Sequence, residues 1–415
     1  MLRKVSLFLV LVLTMVMTAP VLAQERAPSA ANLYLPLVTA NAESQSVAVT
    51  GVNDEDLTDT LDSSRSASSS EAGAVFVTTN ATDPIRGNEI VMYRRAADGA
   101  LTLTGRFPTG GMGLGSGLGS QGALVLSNNG RWLFTVNGGS NEISVFAVHS
   151  AGLVLTDKVA SGGSRPVSLT VRKNLLYVLN AGDSGNITGF ELDKEGKLTA
   201  LANATRNLSN NGSGAAPGPG QISFSPKGDL LIVTEKGTNL IDTYAVDKQG
   251  HSTGPTIHIS SGVTPFGFAF AQAETLVVSE AFGGAASASA VSSYHVDRRL
   301  TLISASVPTG QTAACWIAVT KDGKYAYSTN AGSASLSGYQ VNTDGSLTLL
   351  NSRAGETGDG TGPTDAAVSN NGRLIYALSP RSQTVIGFTV QADGSLTLVG
   401  SFGGLEAGAA GIAAW

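Results

Sequence analysis

Short apolar runs broken by turn-forming clusters make up most of this chain. The clearest stretch is Gly362–Leu398, GPTDAAVSNNGRLIYALSPRSQTVIGFTVQADGSLTL. Two apolar runs flank Asn370-Asn371-Gly372, residues that accept the positive φ of a tight hairpin. A third run, Thr384–Val390, follows an open turn, and Asp393-Gly394 leads into Leu396–Val399. The pattern predicts four short antiparallel strands, called a to d here.

The same order recurs along the chain. Gly130, Gly228, Gly323 and Gly372 mark a–b turns at separations of 98, 95 and 49 residues. Each double gap hides one more unit, visible in the strand-b runs Leu175–Asn180 and Leu276–Glu280. Four strands in a period of about 40–50 residues predict a β-propeller, and residues 74–415 hold seven such units. The expected fold class is all-β: a seven-bladed β-propeller of four-stranded antiparallel blades over residues 73–415. Blade 1 starts on a strand b, Ala74–Asn80, with no strand a before it. Gly411–Trp415 resembles the start of a strand a, so the C-terminal strand is expected to close the ring by completing blade 1.

Insertions gather in the d–a and b–c connections: 105–121, 203–220, 281–289 and 352–362. In an up-and-down blade these connections emerge on one face. Long loops on a rigid scaffold are where binding resides, so a site is expected on that face, at the mouth of the central channel. Aligned strand-b ends place Asn80, Asn137, Asn180, Glu235, Glu280, Asn330 and Ser379 at equivalent positions near that rim. Hydrogen bonding to an adjacent turn is the structural reading of such residues. Glu235 and Glu280 are the two acids and lie in neighbouring blades. If they approach each other, repulsion raises one pKa and makes a proton carrier, which names them as catalytic candidates. Asn180 and Asn330 are candidate binding residues, as are Gln221, Trp316 and Asp365 at the channel-lining starts of strand a. Arg165 is the best cation for an anionic ligand and Arg381 the second; a solvated surface role is the alternative for both.

Composition narrows the function classes. Charged residues are 14%, glycines number 51 and the net charge is −5, which suits many strands joined by tight turns and gives no basic stripe for nucleic acid. Residues 1–23 combine Arg3 and Lys4, an apolar run and Val21-Leu22-Ala23, the pattern of a secretory signal peptide. Residues 24–72 read as a disordered leader or linker. A secreted monomer, extracellular or periplasmic, without a membrane span after cleavage, is therefore expected. The single cysteine, Cys315, sits in an apolar strand and reads as core. His149, His251, His258 and His295 lie in or beside the outer strands c and d. No metal cluster and no cofactor is expected; the glycines of 111–119 lack the βαβ context of a dinucleotide loop.

Three segments carry a resemblance: GPGQISFSPKGDLLIVTEKGTNLIDTY (Gly218–Tyr244), RPVSLTVRKNLLYVLNAGDSGNITGF (Arg165–Phe190) and the repeated DGSLTL. They resemble the seven-bladed propeller lactonase family, which includes 6-phosphogluconolactonases of the propeller type and carboxymuconate lactonising enzymes. The resemblance covers residues 74–415 and implies a metal-independent lactonase or lactonising cyclase. That family often shows Gly-Pro-Arg-His at the start of a strand a and a Glu closing the next strand b. Gly218, Pro219 and Glu235 match, whereas Gly220 stands in place of the Arg and Gln221 in place of the His. Two functions are open on these residues. One is a secreted lactonase-like enzyme acting on a carboxylated small molecule, with Glu235 as acid or base, Glu280 tuning it and Arg165 holding the carboxylate. The other is a non-catalytic propeller that binds a glycan, peptide or surface partner.

Overall fold

A computed structural model describes residues 73–272 and 274–415. The expectations for 1–23 and 24–72 lie outside the described residues. Seven antiparallel sheets follow one another along the chain, in the order a-b-c-d within each sheet. Blade 4 is representative: Pro219–Phe224, Leu230–Glu235, Leu240–Val246 and Ser252–Ile259. The strands a of successive blades touch in a closed circuit, so they are innermost. Gly130, Gly228, Gly323 and Gly372 take φ of +68°, +77°, +69° and +72°, the left-handed turn the pattern requires.

The ring closes as expected. Ile412–Ala414 is strand a of blade 1 and pairs with Gly73–Thr78, with Val77 opposite Ile412 and Val75 opposite Ala414. The Trp415 backbone also exchanges hydrogen bonds with Ala74, and buried Arg95 donates through Nε and Nη2 to the Trp415 oxygen at 3.3 and 3.2 Å. Further out, Arg106 joins Glu89 and Glu406, both at 3.3 Å, tying the last connection to blade 1.

Side chains from strand b seal the gaps between blades. Tyr177, Tyr327 and Tyr376 are fully buried, and each hydroxyl donates to a glycine carbonyl in the c–d turn of the next blade: Gly250, Gly394 and Gly99. Buried Tyr needs such a partner; here it also fixes the angle between sheets. One correction concerns blade 1. Its strand b ends at Thr78, and Thr79, next along, lies opposite Glu89. Asn80 lies one residue further on, at φ +51°, because the run AVFVTT fills the strand that WLFTVN fills in blade 2.

Candidate active site at the loop-rich mouth

The strand-b ends lie under the long connections and bond to them and to strand c, although Asn180 Oδ1 and Asn330 Oδ1 have no hydrogen-bond partner. Asn137 accepts from Thr109 Oγ1 at 2.7 Å; Asn180 donates to the Ser161 carbonyl at 3.2 Å and to Asn186 Oδ1 at 2.7 Å. Asn330 donates to Ser335 and Ser337, and Ser379 donates to the Thr361 carbonyl. Glycine follows in the same connections because the side chain below leaves no room. A Cβ on Gly111, Gly163 or Gly262 would stand 2.5 Å from Asn137 Cγ, 2.7 Å from Asn180 Cγ or 2.2 Å from Glu280 Oε2. The Thr/Ser-x-Gly runs at 109–111, 161–163 and 260–262 were the sequence signal for this device.

Glu235 and Glu280 are both fully buried. Glu280 accepts from Gly262 N–H at 2.7 Å, Ser292 Oγ at 2.5 Å and Ser306 Oγ at 2.7 Å. Glu235 accepts from Ser209 N–H at 3.0 Å, Ser209 Oγ and Thr238 Oγ1. Glu235 acts on Asp242, which lies two places beyond the strand-c partner of Glu235. The two glutamates are thus held by two separate sets of donors, one in each blade. Successive strand residues point to opposite faces, so each glutamate meets the connection above its own blade.

The starts of strand a do occupy equivalent positions. Gln221 lies opposite Thr234, Trp316 opposite Thr329, and the Asp365 carbonyl accepts from Leu378. Their side chains cap the inner edges of neighbouring strands. Gln221 Oε1 accepts from Phe268 N–H of blade 5 at 2.7 Å. Asp365 accepts from Ala366 N–H at 2.9 Å, and the amides of Ile412 and Gly122 also stabilise its charge. Burial outweighs those amides and pushes its carboxyl up to about 7. Gln121 was not singled out from sequence, yet it spans the axis: its side chain exchanges hydrogen bonds with both Ile317 N–H and Ile317 C=O of blade 6. Beside it, Trp316 Nε1 donates to the Ser120 carbonyl at 2.7 Å. Below this crossing lies a cavity of about 320 Å³, bordered by Gln121, Thr170, Gln221, Ser223 and Asp365 among others. A second hollow of about 340 Å³ lies between blades 4 and 5 on the short-turn side, lined by Lys227, Glu274 and Arg298. Neither glutamate borders either space.

Above the crossing the mouth is cationic. Lys236 follows Glu235 and turns toward the axis, donating to the carbonyls of Gly119 and Pro219. Its ammonium lies 4.5 Å from the Phe266 ring centroid, and Phe266 packs on Trp316 at 4.8 Å. Burial pushes Lys236 down to about 8, with Cys315 opposing and Arg165 adding to the shift. Cys315 itself is core, its thiol pushed up to about 12 by burial. Arg165 is exposed, at φ +54°, with its N–H held by Asn141 Oδ1 at 2.7 Å. Arg381 is exposed in the b–c turn of blade 7. Among the described residues, no group of three or more His, Cys, Asp or Glu is placed to hold a metal ion, and no helix is long and apolar enough to cross a membrane.

Comparison with known proteins gives this architecture its place. The family model for the lactonase, 7-bladed beta-propeller, matches residues 86–211 and 124–411. The chain belongs to this lactonase family. Solved structures similar to this lactonase-family propeller include a candidate 6-phosphogluconolactonase from Bacteroides fragilis, 19% identical, with a TM-score of 0.67 over 84% of this chain and 99% of that one. A protein from Lactobacillus plantarum is 17% identical, with a TM-score of 0.66 over 82% and 98%. The periplasmic gluconolactonase of Pseudomonas aeruginosa is 17% identical, with a TM-score of 0.62 over 82% and 98%. No curated protein matches the chain.

Proposed function

We propose that this propeller is an exported lactonase-like protein whose loop-rich mouth takes a small carboxylated lactone or the hydroxy acid it opens to. The observation that carries the reading is the ammonium of Lys236, partly desolvated between Phe266 and two carbonyls, with Arg165 acting on it. A carboxylate there relieves the repulsion between the two cations and pairs with both. Two of the three Lys236 donors go to carbonyls, which leaves one for a ligand oxygen. Aimed at a lactone carbonyl, it stabilises the charge that develops as water adds. Family membership supplies the reaction class, the Pseudomonas neighbour is itself a gluconolactonase, and the pattern at 1–23 supports export. A second reading, capture without turnover, is favoured by one observation: the two glutamates are fully engaged in clamps, and Gln221 stands where the family often has His.

A panel of lactones with and without a carboxylate separates these readings. Turnover confined to the carboxylated members, and lost in Lys236→Met, supports hydrolysis. Losing one charge-assisted hydrogen bond costs about 1.5–3 kcal/mol, a ten- to hundredfold weakening. Binding of the hydroxy acid without turnover supports capture. Wild-type affinity retained in both Lys236→Met and Arg165→Met removes the mouth from either function. Glu235→Gln, at the acid–base candidate, is assayed alongside; an unchanged rate assigns Glu235 to the clamp alone.

A further inference from the structure

Four blades repeat one side-chain pairing. The residue that ends strand b faces the residue two places beyond its partner on strand c: Asn137 with Ser144, Glu280 with Ser292, Asn330 with Ser337 and Glu235 with Asp242. In three of them a hydrogen joins the pair. Asn137 Nδ2 donates to Ser144 Oγ at 2.8 Å, Ser292 Oγ to Glu280 Oε1 at 2.5 Å, and Asn330 Nδ2 to Ser337 Oγ at 2.9 Å. Blade 4 has an acid at both places, and ionised carboxylates have no donor. Both acids are fully buried, and no N–H or hydroxyl donor reaches either Asp242 oxygen in good hydrogen-bonding geometry, while Glu235 lies within hydrogen-bonding reach of it. The groups that act on Asp242 are Glu235 from strand b, the Ser209 N–H from the connection above and the Tyr244 hydroxyl on its own strand. His258 on strand d is turned to Thr243 Oγ1, at 3.1 Å. Glu235, Ser209 and Tyr244 bring no positive charge to Asp242.

We propose that Asp242 is a protonated acid at neutral pH, sharing its hydrogen with Glu235, and that this buried carboxyl pair is a pH-sensitive latch on the segment 203–220. The three donors from Ser209 and Thr238 all point at Glu235, so the hydrogen between the two acids is the one that Asp242 brings. Asp242 then supplies the hydrogen that Ser292 supplies in blade 5. Burial, and next the charge of Glu235, push its carboxyl up to about 8. The latch matters because this segment walls the mouth. Pro217 and Gly218 accept from Gly237 and Lys236, and Gly220 accepts from Gln121. Removing the hydrogen leaves two negative charges facing each other out of water, and Glu235 loses its hold on Ser209.

The sign follows from proton counting. Opening the segment wets Asp242, which then ionises near the ordinary carboxylate value of about 3.9. Opening therefore releases one proton across roughly pH 4–8, so the opening constant rises about tenfold per pH unit and levels off above about pH 8. Hydrogen exchange of the amides from Ser209 to Gly220 in the full chain, corrected for the intrinsic chemical rate, reads this constant. Wild-type protection is expected to fall about tenfold per unit. Asp242→Asn, whose amide donates to Glu235, and Asp242→Ser, which copies blade 5, are expected to give protection independent of pH. The infrared carbonyl stretch of a protonated acid is expected in wild type and missing in Asp242→Asn. Should one variant fail to fold, the other carries the comparison. A flat wild-type profile, or the same slope in the variants, overturns the latch. So does a slope abolished by added Ca2+, which assigns the space between the carboxylates to a cation.

Discussion

Removing residues 409–415 is expected to abolish cooperative unfolding. The deletion strips strand a from blade 1 and leaves Gly73–Thr78 as an open inner edge. Buried Ile412 and Ala413 go with it, and Arg95 loses the Trp415 oxygen that accepts from two of its donors. Burying an Ile side chain is worth about 1.5–3 kcal/mol, and each buried donor left without its partner costs about 1–3 kcal/mol. Four backbone hydrogen bonds, Ala74 and Trp415 in both directions, Thr78 to Gly411 and Ala410 to Thr78, are lost as well. The total is of the order of a whole domain's stability, about 5–15 kcal/mol. Denaturant unfolding followed by fluorescence and by circular dichroism checks it. Coincident, sharp transitions at the full-chain midpoint would show that the last strand is dispensable.

Glu280→Ala is expected to destabilise the fold by about 3–5 kcal/mol, whereas Glu280→Gln costs only about 1 kcal/mol. The alanine leaves Gly262 N–H, Ser292 and Ser306 without their acceptor and opens a void beneath Gly262. In the glutamine, Oε1 keeps Gly262 and Ser292, and the amide donates to a rotated Ser306 hydroxyl. Denaturant midpoints of both variants, beside their rates on any lactone the wild type turns over, separate a clamp from a catalyst. Equal stability of Glu280→Ala and wild type would discard the clamp. A lost rate in a fully stable Glu280→Gln would restore Glu280 as a proton carrier.

The repeat was legible because period-two alternation is a local signal in each blade and Asn-Gly or Asp-Gly turns recur in blades 1, 2, 6 and 7. Ring closure was legible for a related reason: blade 1 lacked a strand and Gly411–Trp415 had one to give. The site was less legible because its geometry is set between blades. Glu235 and Glu280 are neighbours in the list of strand-b ends, yet strand pleat and linker packing give each its own donors. Lys236 was not singled out from sequence, although its position after Glu235 turns it toward the axis. Asp242 emerges only when the strands c are set in register, where it replaces Ser144, Ser292 and Ser337.

The reach of Gln121 from blade 2 to blade 6 has a bearing on how solutes meet this molecule. A bar of fixed length across the bore narrows any straight passage through the propeller. A solute at the long-loop end is then expected to arrive and leave by the same opening. The hollow behind the bar answers to the other side of the molecule, so two occupants could be selected independently, without competing for one path.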